Sequence, residues 1–346
     1  MLAVPRRLRY AAAEMRIVFM GSADVSCVML EALLAAPGIE VVGAVTQPDR
    51  PSGRHRREHA CPGNAAALAR GIPVITPVKV NAPEALATVA AWAPDAIAVV
   101  AYGQILGRRL LALPPQGCVN IHLSLLPRHR GAAPVQWTIV AGDAVSGVTA
   151  IRMDAGMDSG DVLGQIEEPV RPDDTAATLY DRLAPLGSRL LLRVMADVAA
   201  GRAAPVPQDA SSVTFAPKLR KEDGVLNWSQ PAVALERRVR AFLPWPACHA
   251  RLPPRLRPAG GTGWLKVLRS AVEPPPAAGH PPPATVLDAH GDGPLVQTGD
   301  GALRLMVVQP EGGRPMPGRA FLNGHALRPG DRLGDVKHAA LDAAPD

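Results

Sequence analysis

Short apolar runs alternate with helical segments through the first half of the chain. Residues 17–20, 41–45, 95–100 and 118–121 are apolar runs of strand length, and the stretch after the first run has apolar residues at helical spacing. Runs that are apolar on both faces are typical of parallel strands covered by helices on either side. The pattern therefore predicts an α/β domain with a Rossmann-like, mostly parallel sheet.

The second half of the chain has a different pattern. Residues 175–199 form a long amphipathic stretch that we expect to close the first domain, and residues 231–242 predict another helix. Strand candidates separated by glycine-containing turns then follow, at residues 264–272, 284–287, 295–298, 303–309 and 328–333. Many short strands of this kind indicate a small OB-like β-barrel, which would suit an RNA partner.

Length and local composition give the expected domain boundaries. A chain of 346 residues is long enough for two domains. We expect a disordered extension at residues 1–14, which show no pattern for burial, and an α/β domain at residues 15–203. A polar, proline-bearing linker at residues 204–222 leads to the barrel domain at residues 223–334, and a disordered tail follows at residues 335–346.

Apolar run lengths and cysteine spacing narrow the function classes. No apolar run reaches the ~18 residues needed to span a membrane, so we expect no membrane partner. The four cysteines are Cys27, Cys61, Cys118 and Cys248, and none of them forms a C-x-x-C pair. This spacing excludes the usual zinc patterns and a disulfide scaffold, and it suits a reducing cytoplasm.

The turn after the first predicted strand does not match a nucleotide-binding loop. Gly21 is its single glycine, whereas a dinucleotide fingerprint needs G-x-G-x-x-G, and the chain has no G-K-[ST] sequence. We therefore expect the sheet to work without a nicotinamide cofactor or a phosphate loop.

One predicted surface loop is rich in basic residues, and further basic residues cluster between Lys218 and Arg240. The formal net charge is +6, and Arg50, Arg54, Arg56 and Arg57 fall in one short segment punctuated by proline and glycine. Such a loop suits contact with an anionic partner. A solvated loop with incidental charge is the alternative that composition leaves open.

Asn120 and His122 are candidate catalytic residues at the end of the strand predicted over residues 118–121. Two residues apart on a strand, they project from the same face. Ligand crevices in open α/β sheets lie at the carboxyl ends of strands, where this pair falls. An amide donor beside an imidazole can stabilise a developing oxyanion and transfer a proton. A histidine that merely ends a strand is the alternative, and the flanking residues weigh against it.

An acidic segment with two glycines follows the strand predicted at residues 148–153. Asp154, Asp158 and Asp161 could form a plain turn or a metal loop. The spacing does not match an EF-hand and no histidine lies close in sequence, so we expect no metal site.

Together these segments resemble the methionyl-tRNA formyltransferase family. Residues 120–134 are similar to its N-x-H-x-S-L-L-P-R-x-R-G-A-A-P motif, and residues 153–161 to its M-D-x-G-x-D-T-G-D loop. Residues 47–54 resemble its Q-P-D-R-P-A-G-R loop, and residues 240–246 its R-A-F-x-P-W-P segment. The first two motifs mark any formyltransferase that uses 10-formyltetrahydrofolate, whereas the last two narrow the resemblance to the tRNA enzymes.

The resemblance implies an α/β formyltransferase domain followed by an OB-like tRNA-binding domain. The implied reaction moves a formyl group from 10-formyltetrahydrofolate to the α-amine of methionyl-initiator tRNA, for translation initiation. Asn120, His122 and Asp158 are the implied catalytic residues, with no metal. The implied folate contacts lie at the ends of two strands: Val100, Tyr102, Gly103, Ser124, Leu125, Leu126 and Pro127.

The resemblance also implies a nucleic-acid contact for the basic loop. Arg54 is expected to flank the acceptor stem of the tRNA, and Arg56 and Arg57 to contact phosphates. The expected protein is a cytoplasmic monomer.

Two other function classes stay open from the sequence. A sister formyltransferase that acts on a sugar nucleotide or a small amine would share the three catalytic residues but lack the basic loop and the barrel. A non-catalytic RNA-binding protein would have lost at least one of the three. Leu123 and His129 replace a small residue and a tryptophan of the family pattern, which bears on the fit of the methionine pocket.

Overall fold

The computed structural model of the protein describes residues 14–52, 57–59, 61–274 and 281–334. The expected extension and tail lie outside these residues, apart from Glu14, and so do Arg54 and Arg56 of the basic loop. Within the described residues, no helix combines the length and the apolar character needed to cross a membrane.

The chain alternates strands and helices up to residue 122 and becomes rich in strands after residue 247. The first elements are β1 (Met15–Gly21), α1 (Asp24–Ala35), β2 (Ile39–Val45), β3 (Arg50–Ser52), β4 (Arg57–His59), α2 (Pro62–Ala69), β5 (Val74–Ile75), α3 (Pro83–Ala91), β6 (Ala96–Val100), α4 (Arg108–Leu111) and β7 (Cys118–His122). Then follow β8 (Arg130–Gly131), α5 (Pro134–Ala141), β9 (Val145–Arg152), β10 (Val162–Pro169), α6 (Ala176–Ala199), β11 (Phe215–Ala216) and α7 (Ala232–Ala241). The last are β12 (Cys248–Arg251), β13 (Trp264–Glu273), β14 (Val286–Asp288), β15 (Leu295–Gln297), β16 (Ala302–Pro310), β17 (Met316–Pro317) and α8 (Gly318–Gly324).

The larger sheet has seven strands in the order β10-β9-β7-β6-β1-β2-β5. β1 pairs in parallel with β2 and β6, and β7 pairs in parallel with β6. β9 adds to the other edge of β7 in the antiparallel direction. This arrangement confirms the predicted Rossmann-like, mostly parallel sheet.

Complete burial explains the continuous apolar run of β6. All five residues of β6 are buried, because strands flank it on both sides and apolar side chains cover its faces. Helix α1 buries Met29 and Leu33. A Cβ atom at Gly63 would lie 2.2 Å from the Gly21 carbonyl oxygen, so only glycine permits this approach of α2 to the end of β1.

The second main sheet is antiparallel. Its strands run in the order β12-β13-β16-β15-β14, and β17 pairs with β16. β13 and β16 form the longest ladder, which extends from Leu265 opposite Pro310 to Glu273 opposite Ala302. This separate antiparallel sheet agrees with the barrel-like second domain that the sequence predicts.

The chain divides into two compact units. The first comprises the described residues up to Gly131 together with Ser146–Glu168 and Asp181–Phe215, and the second comprises Ala132–Val145, Pro169–Tyr180 and the described residues from Ala216 onward. The seven-stranded sheet belongs to the first unit, apart from its end residues Val145 and Pro169, and the antiparallel sheet belongs to the second.

Two local predictions differ from the structure. The strand predicted at residues 328–333 is a turn, in which the Asp331 carboxylate accepts a hydrogen bond from the Arg328 N–H at 2.7 Å and only Arg332 makes a β-bridge, to Thr285. The loop predicted after β2 contains a short hairpin, because β3 and β4 pair in the antiparallel direction. Pro329 and Gly330 favour the turn that replaces the strand predicted at residues 328–333.

Candidate active site

Strand β7 brings Asn120 and His122 to one face of the larger sheet. Asn120 lies opposite Val99 of β6 and Ile151 of β9, and His122 lies opposite Thr149 of β9. Both side chains are buried, with only 8% and 5% of the residue surface exposed. The alternation of a β-strand therefore places the two polar groups side by side, as the sequence predicts.

Both nitrogens of the His122 ring face defined partners. Nε2 lies 2.9 Å from the carbonyl oxygen of His129, and Nδ1 lies 3.6 Å from Oδ2 of Asp158. A carbonyl oxygen only accepts hydrogen bonds, so this contact requires a proton on Nε2 and leaves Nδ1 as the basic nitrogen. The basic nitrogen of His122 thus faces a carboxylate.

Asp158 reaches His122 from a tight acidic loop. Its backbone is left-handed, with a φ of 50°, and its Oδ2 accepts a hydrogen bond from the Gly131 N–H at 2.8 Å. A Cβ atom at Gly160 would lie 1.9 Å from the Arg152 carbonyl oxygen, so the loop closes only with glycine there. Asp158 has 18% of its side chain exposed and is open to solvent on one side.

The other acids of the loop do not join Asp158 in a metal-binding group. The Asp154 carboxylate accepts hydrogen bonds from the Gly156 N–H at 3.0 Å and from the Ser159 hydroxyl at 2.8 Å, which closes a local turn. Within the described ranges, no group of three or more histidines, cysteines or acids has the geometry to hold a metal ion.

The Asn120 amide is available to a ligand. No group in the described part of the chain forms a hydrogen bond with its side chain, although the residue is buried. Its amide is not among the fully buried, unpartnered side-chain atoms of the described residues, so water or a ligand can reach it. Because Asn120 lies beside His122 on the same strand face, one ligand can contact both side chains.

The turn after β7 is fixed from behind by β9 and β10. The Thr149 hydroxyl accepts a hydrogen bond from the Leu126 N–H at 3.1 Å and donates one to the Ser124 carbonyl oxygen at 2.6 Å. The Gln165 amide donates to Thr149 Oγ1 at 3.0 Å and to the Leu126 carbonyl oxygen at 2.8 Å. The Ser124 hydroxyl donates to the Arg128 carbonyl oxygen at 2.7 Å. The turn is therefore pre-organised, and Thr149 and Gln165 are residues that the sequence patterns did not single out.

The predicted folate residues lie at the ends of β6 and β7. Ser124 and Leu126 are buried, and Leu125 and Pro127 are half-buried. Val100 ends β6, and Gly103 is exposed just beyond it. Tyr102 is buried among apolar side chains, and this burial raises the pKa of its phenol. Since its ring lies in the core and its carbonyl oxygen accepts hydrogen bonds from Ser22 Oγ and Gln47 Nε2, only its N–H is left for a ligand.

A cavity opens beside Asp158. It has a volume of about 160 Å³ and is lined by residues from the loops after β6 and β9: Gln104, Ile105, Leu106, Ile151, Met153, Asp154, Ala155, Gly156, Met157 and Asp158. Ile105 is 77% exposed and Met157 is 60% exposed. Exposed apolar side chains around a concave site are typical of a surface that a planar ligand covers.

The basic loop is described only at its base. Arg50 begins β3 and Arg57 begins β4, where Arg57 pairs with Ser52. Arg54 and Arg56 lie beyond the described residues, so their expected contact with RNA stays a prediction.

Both parts of the chain match known protein families. The profile of the Formyl transferase family matches residues 15–195, and that of the Formyl transferase C-terminal domain matches residues 218–326. The methionyl-tRNA formyltransferase of Symbiobacterium thermophilum is 42% identical over 331 residues, which cover 96% of this chain and 99% of that protein. The methionyl-tRNA formyltransferase of Pseudomonas paraeruginosa is 45% identical over 302 residues, which cover 87% of this chain and 93% of that protein.

A solved structure shares the fold at low identity. The N-formyltransferase from Helicobacter canadensis, solved with folinic acid and dTDP-3-aminofucose, has a TM-score of 0.60 at 15% identity. The match covers 84% of this chain and 99% of that one. It shows a common fold.

Proposed function

The chain belongs to the methionyl-tRNA formyltransferase family, and from the geometry of its site we propose which residues carry the formyl transfer. The resemblance drawn from its motifs is confirmed by relatives of 42% and 45% identity. A sister enzyme for sugar nucleotides is the weaker alternative, since the sugar N-formyltransferase shares only 15% identity. The chain is thus an enzyme that transfers a formyl group to methionyl-tRNA, and the initiator tRNA is the proposed acceptor.

We propose 10-formyltetrahydrofolate as the co-substrate, which supplies the formyl group. The cavity beside Asp158 fits the pterin end of a folate: its walls are mostly apolar, and its loops offer backbone groups for hydrogen bonds. Ile105 and Met157 would cover the faces of the planar ring. The ordered turn from Ser124 to Pro127 and the loop after Val100, with Tyr102 and Gly103, would hold the same ligand.

Asn120 is the proposed oxyanion donor. As the amine attacks the formyl carbon, the formyl oxygen gains negative charge and accepts a hydrogen bond from the Asn120 amide. A donor of this kind is worth roughly 2.7–4 kcal/mol of transition-state stabilisation. The support is the burial of Asn120 and the lack of a competing partner among the described residues.

His122 and Asp158 are the proposed proton carriers. Nδ1 of His122 takes the proton that the attacking amine loses and returns it to the departing nitrogen. Asp158 stabilises the imidazolium through its opposite charge. The gap of 3.6 Å between Nδ1 and Oδ2 exceeds a direct hydrogen bond, and a relay water ordered by the carboxylate would bridge it.

The proposed tRNA contacts come from the basic loop after β2. Arg54, Arg56 and Arg57 would bind the acceptor stem, because arginine pairs phosphates bidentately and stacks on unpaired bases. Residues 15–203 would form the catalytic domain and residues 223–334 the tRNA-binding domain, which the profile matches to residues 15–195 and 218–326 support. The protein is proposed to act as a monomer in the cytoplasm.

The observation that carries this proposal is the convergence of the Asn120 amide with the His122–Asp158 pair beside a cavity. The test is a formylation assay with 10-formyltetrahydrofolate and charged initiator tRNA, with free methionine as the control acceptor. We expect formyl-methionyl-tRNA and no product on free methionine. Equal formylation of free methionine, or none of the charged tRNA, would contradict the proposal.

A further inference from the structure

The stretch predicted as a linker makes direct hydrogen bonds to both loops that surround His122. We propose that Gln208 is a positioning residue for the formyl transfer, which couples the Asp158 loop to the loop that carries His129 and Arg130. The proposal rests on the proposed roles of His122 and Asp158. Gln208 lies in none of the motifs that carry the family resemblance.

Gln208 uses the whole hydrogen-bonding capacity of its side chain. Its Nε2 donates to the carbonyl oxygens of Asp158 at 2.8 Å and Gly160 at 2.7 Å. Its Oε1 accepts from Arg130 Nε at 3.1 Å and from the terminal Arg130 guanidinium nitrogen Nη2 at 2.7 Å. Two donors and one acceptor with two lone pairs are all that this amide has. The side chain therefore ties the two loops together at both of its ends.

The backbone conformation of the Asp158 loop must be stabilised by contacts from outside the loop. Asp158 adopts a φ of 50°, which an L-residue other than glycine rarely adopts. Such a conformation persists only where the surrounding structure fixes it. Gln208 bonds the carbonyl of this same residue and that of Gly160, so it fixes the backbone from which the carboxylate reaches His122.

The same segment also fixes the other partner of His122. Thr214 Oγ1 accepts from the His129 N–H at 2.8 Å, and the Thr214 carbonyl oxygen accepts from the Arg130 N–H at 2.9 Å. His129, whose carbonyl oxygen lies 2.9 Å from His122 Nε2, is held in this way at a φ of 60°. One segment, residues 208–214, thus sets the groups on both sides of the imidazole.

Two substitutions distinguish the contacts of the Gln208 amide nitrogen from those of its amide oxygen. Gln208→Leu removes all of its hydrogen bonds at similar volume. Gln208→Glu keeps the acceptor for Arg130 but turns a carboxylate oxygen toward the Asp158 and Gly160 carbonyls, where only a donor fits. If the hold on the Asp158 loop is what matters, both variants lose turnover to a similar degree.

Asp209→Ala is the matched control in the same segment. The Asp209 carboxylate accepts hydrogen bonds from the Ser211 N–H at 2.9 Å and from the Ser211 and Ser212 hydroxyls at 2.7 Å, all within its own turn. Its loss tests whether a merely local weakening of the segment slows the enzyme. We expect Asp209→Ala to keep wild-type turnover.

The first measurement is steady-state kinetics of the full chain. For Gln208→Leu and Gln208→Glu we expect kcat to fall about 10²-fold, the effect of a small misplacement of a catalytic group, while KM for charged tRNA and folate affinity stay near wild type. In the Asp158→Asn background the same Gln208 substitutions should cost little more, because the group that they position is already disabled. An additive loss in that background, unchanged kcat, or an equal loss in Asp209→Ala would overturn the proposal.

The second measurement does not depend on the formylation reaction. In protein labelled with ¹⁵N-histidine, the Nε2 resonance of His122, identified by its disappearance in His122→Ala, should show a protonated nitrogen in the wild type. In Gln208→Leu the Nε2 resonance should stay in place, because Thr214 still holds His129, whereas the Nδ1 resonance should shift as the Asp158 carboxylate moves away from it. An unchanged Nδ1 resonance would overturn the proposal, whereas a wild-type enzyme with a protonated Nε2 that does not formylate tRNA would overturn the proposed function alone.

Discussion

Strand β7 and the Asp158 loop hold the two halves of the proposed catalytic pair, His122 and Asp158, by different means. On β7, main-chain ladders to β6 and β9 fix Asn120 and His122 within the sheet. The carboxylate of Asp158 stands on a left-handed residue in a loop that is held by the Gly131 N–H and the Gln208 amide. The sheet supplies rigidity to one half, and side-chain hydrogen bonds supply it to the other.

This difference shows which of the two side chains is easier to displace. Displacing His122 requires disruption of paired strands, whereas displacing Asp158 requires only the loss of a few hydrogen bonds. The gap of 3.6 Å between Nδ1 and Oδ2 therefore depends more on the hydrogen bonds of the loop than on the strand. Substitutions on the strand should remove chemistry outright, and substitutions around the loop should weaken it in steps.

Removal of the strand imidazole is expected to have the largest effect. His122→Ala should lower kcat by about 10²–10⁴-fold, because proton transfer loses its carrier, while folate binding stays near wild type. Formylation kinetics and a folate titration would measure the two quantities. His290→Ala, an exposed histidine of the second unit, is the control and should be unaffected. Near-normal turnover of His122→Ala would show that the strand does not carry the chemistry.

Displacement of the acidic loop should have the next largest effect. In Gly160→Ala the added Cβ atom meets the Arg152 carbonyl oxygen at 1.9 Å, so the backbone of the loop must move. We expect kcat to fall about 10²-fold through misplacement of Asp158. Gly324→Ala, where a Cβ atom meets nothing within 4 Å, should keep full activity. If Gly160→Ala also keeps it, the position of the loop is not critical.

Loss of the hydrogen bonds behind the turn should cost stability more than chemistry. Thr149→Val leaves the Leu126 N–H and the Ser124 carbonyl without their partner, which should lower the free energy of unfolding by about 1–3 kcal/mol. Thr138→Val is the matched control, since the buried Thr138 hydroxyl has no hydrogen-bond partner among the described residues. Denaturant unfolding of both variants tests the expectation, which fails if their losses are equal.

Substitutions in the basic loop should have the smallest effect on the chemical step. Arg54→Ala is expected to raise KM for initiator tRNA and to blunt discrimination against tRNAs with a paired first position. Arg56→Ala should weaken all tRNAs alike and lower the salt slope by about one unit or less. The roles of Arg54 and Arg56 are separated by measuring tRNA binding over a salt series, together with formylation rates for initiator tRNA and for a tRNA with a paired first position. A loss of kcat with unchanged KM in either variant would place this loop in the chemistry instead.

Local sequence patterns were enough to predict the strand half of the site. The apolar run at residues 118–121 and the two-residue spacing of Asn120 and His122 predict a buried strand with both groups on one face, and β7 has this form. Asp158 could be assigned only through the family resemblance. Its approach to His122 depends on β9 adding to the edge of β7, and no local pattern encodes that addition.

The supporting contacts were missed because they join distant parts of the chain. The hydrogen bonds of Gln208 span 78 residues to Arg130 and 50 to Asp158, and a lone glutamine in a polar, proline-bearing stretch carries no periodic signal. Thr149 meets His122 only through the register of an antiparallel pair. Sequence patterning thus predicts elements and faces, whereas these positions follow from tertiary pairing.

The most direct test of the account is a double-mutant cycle between His122 and Asp158, measured as kcat for formylation of charged initiator tRNA. If the strand imidazole and the loop carboxylate act as one unit, His122→Ala and Asp158→Ala should each lower kcat by orders of magnitude. The double variant should then have a kcat only slightly below that of His122→Ala alone. Full additivity of the two losses would contradict the account, because Asp158 would then act without His122.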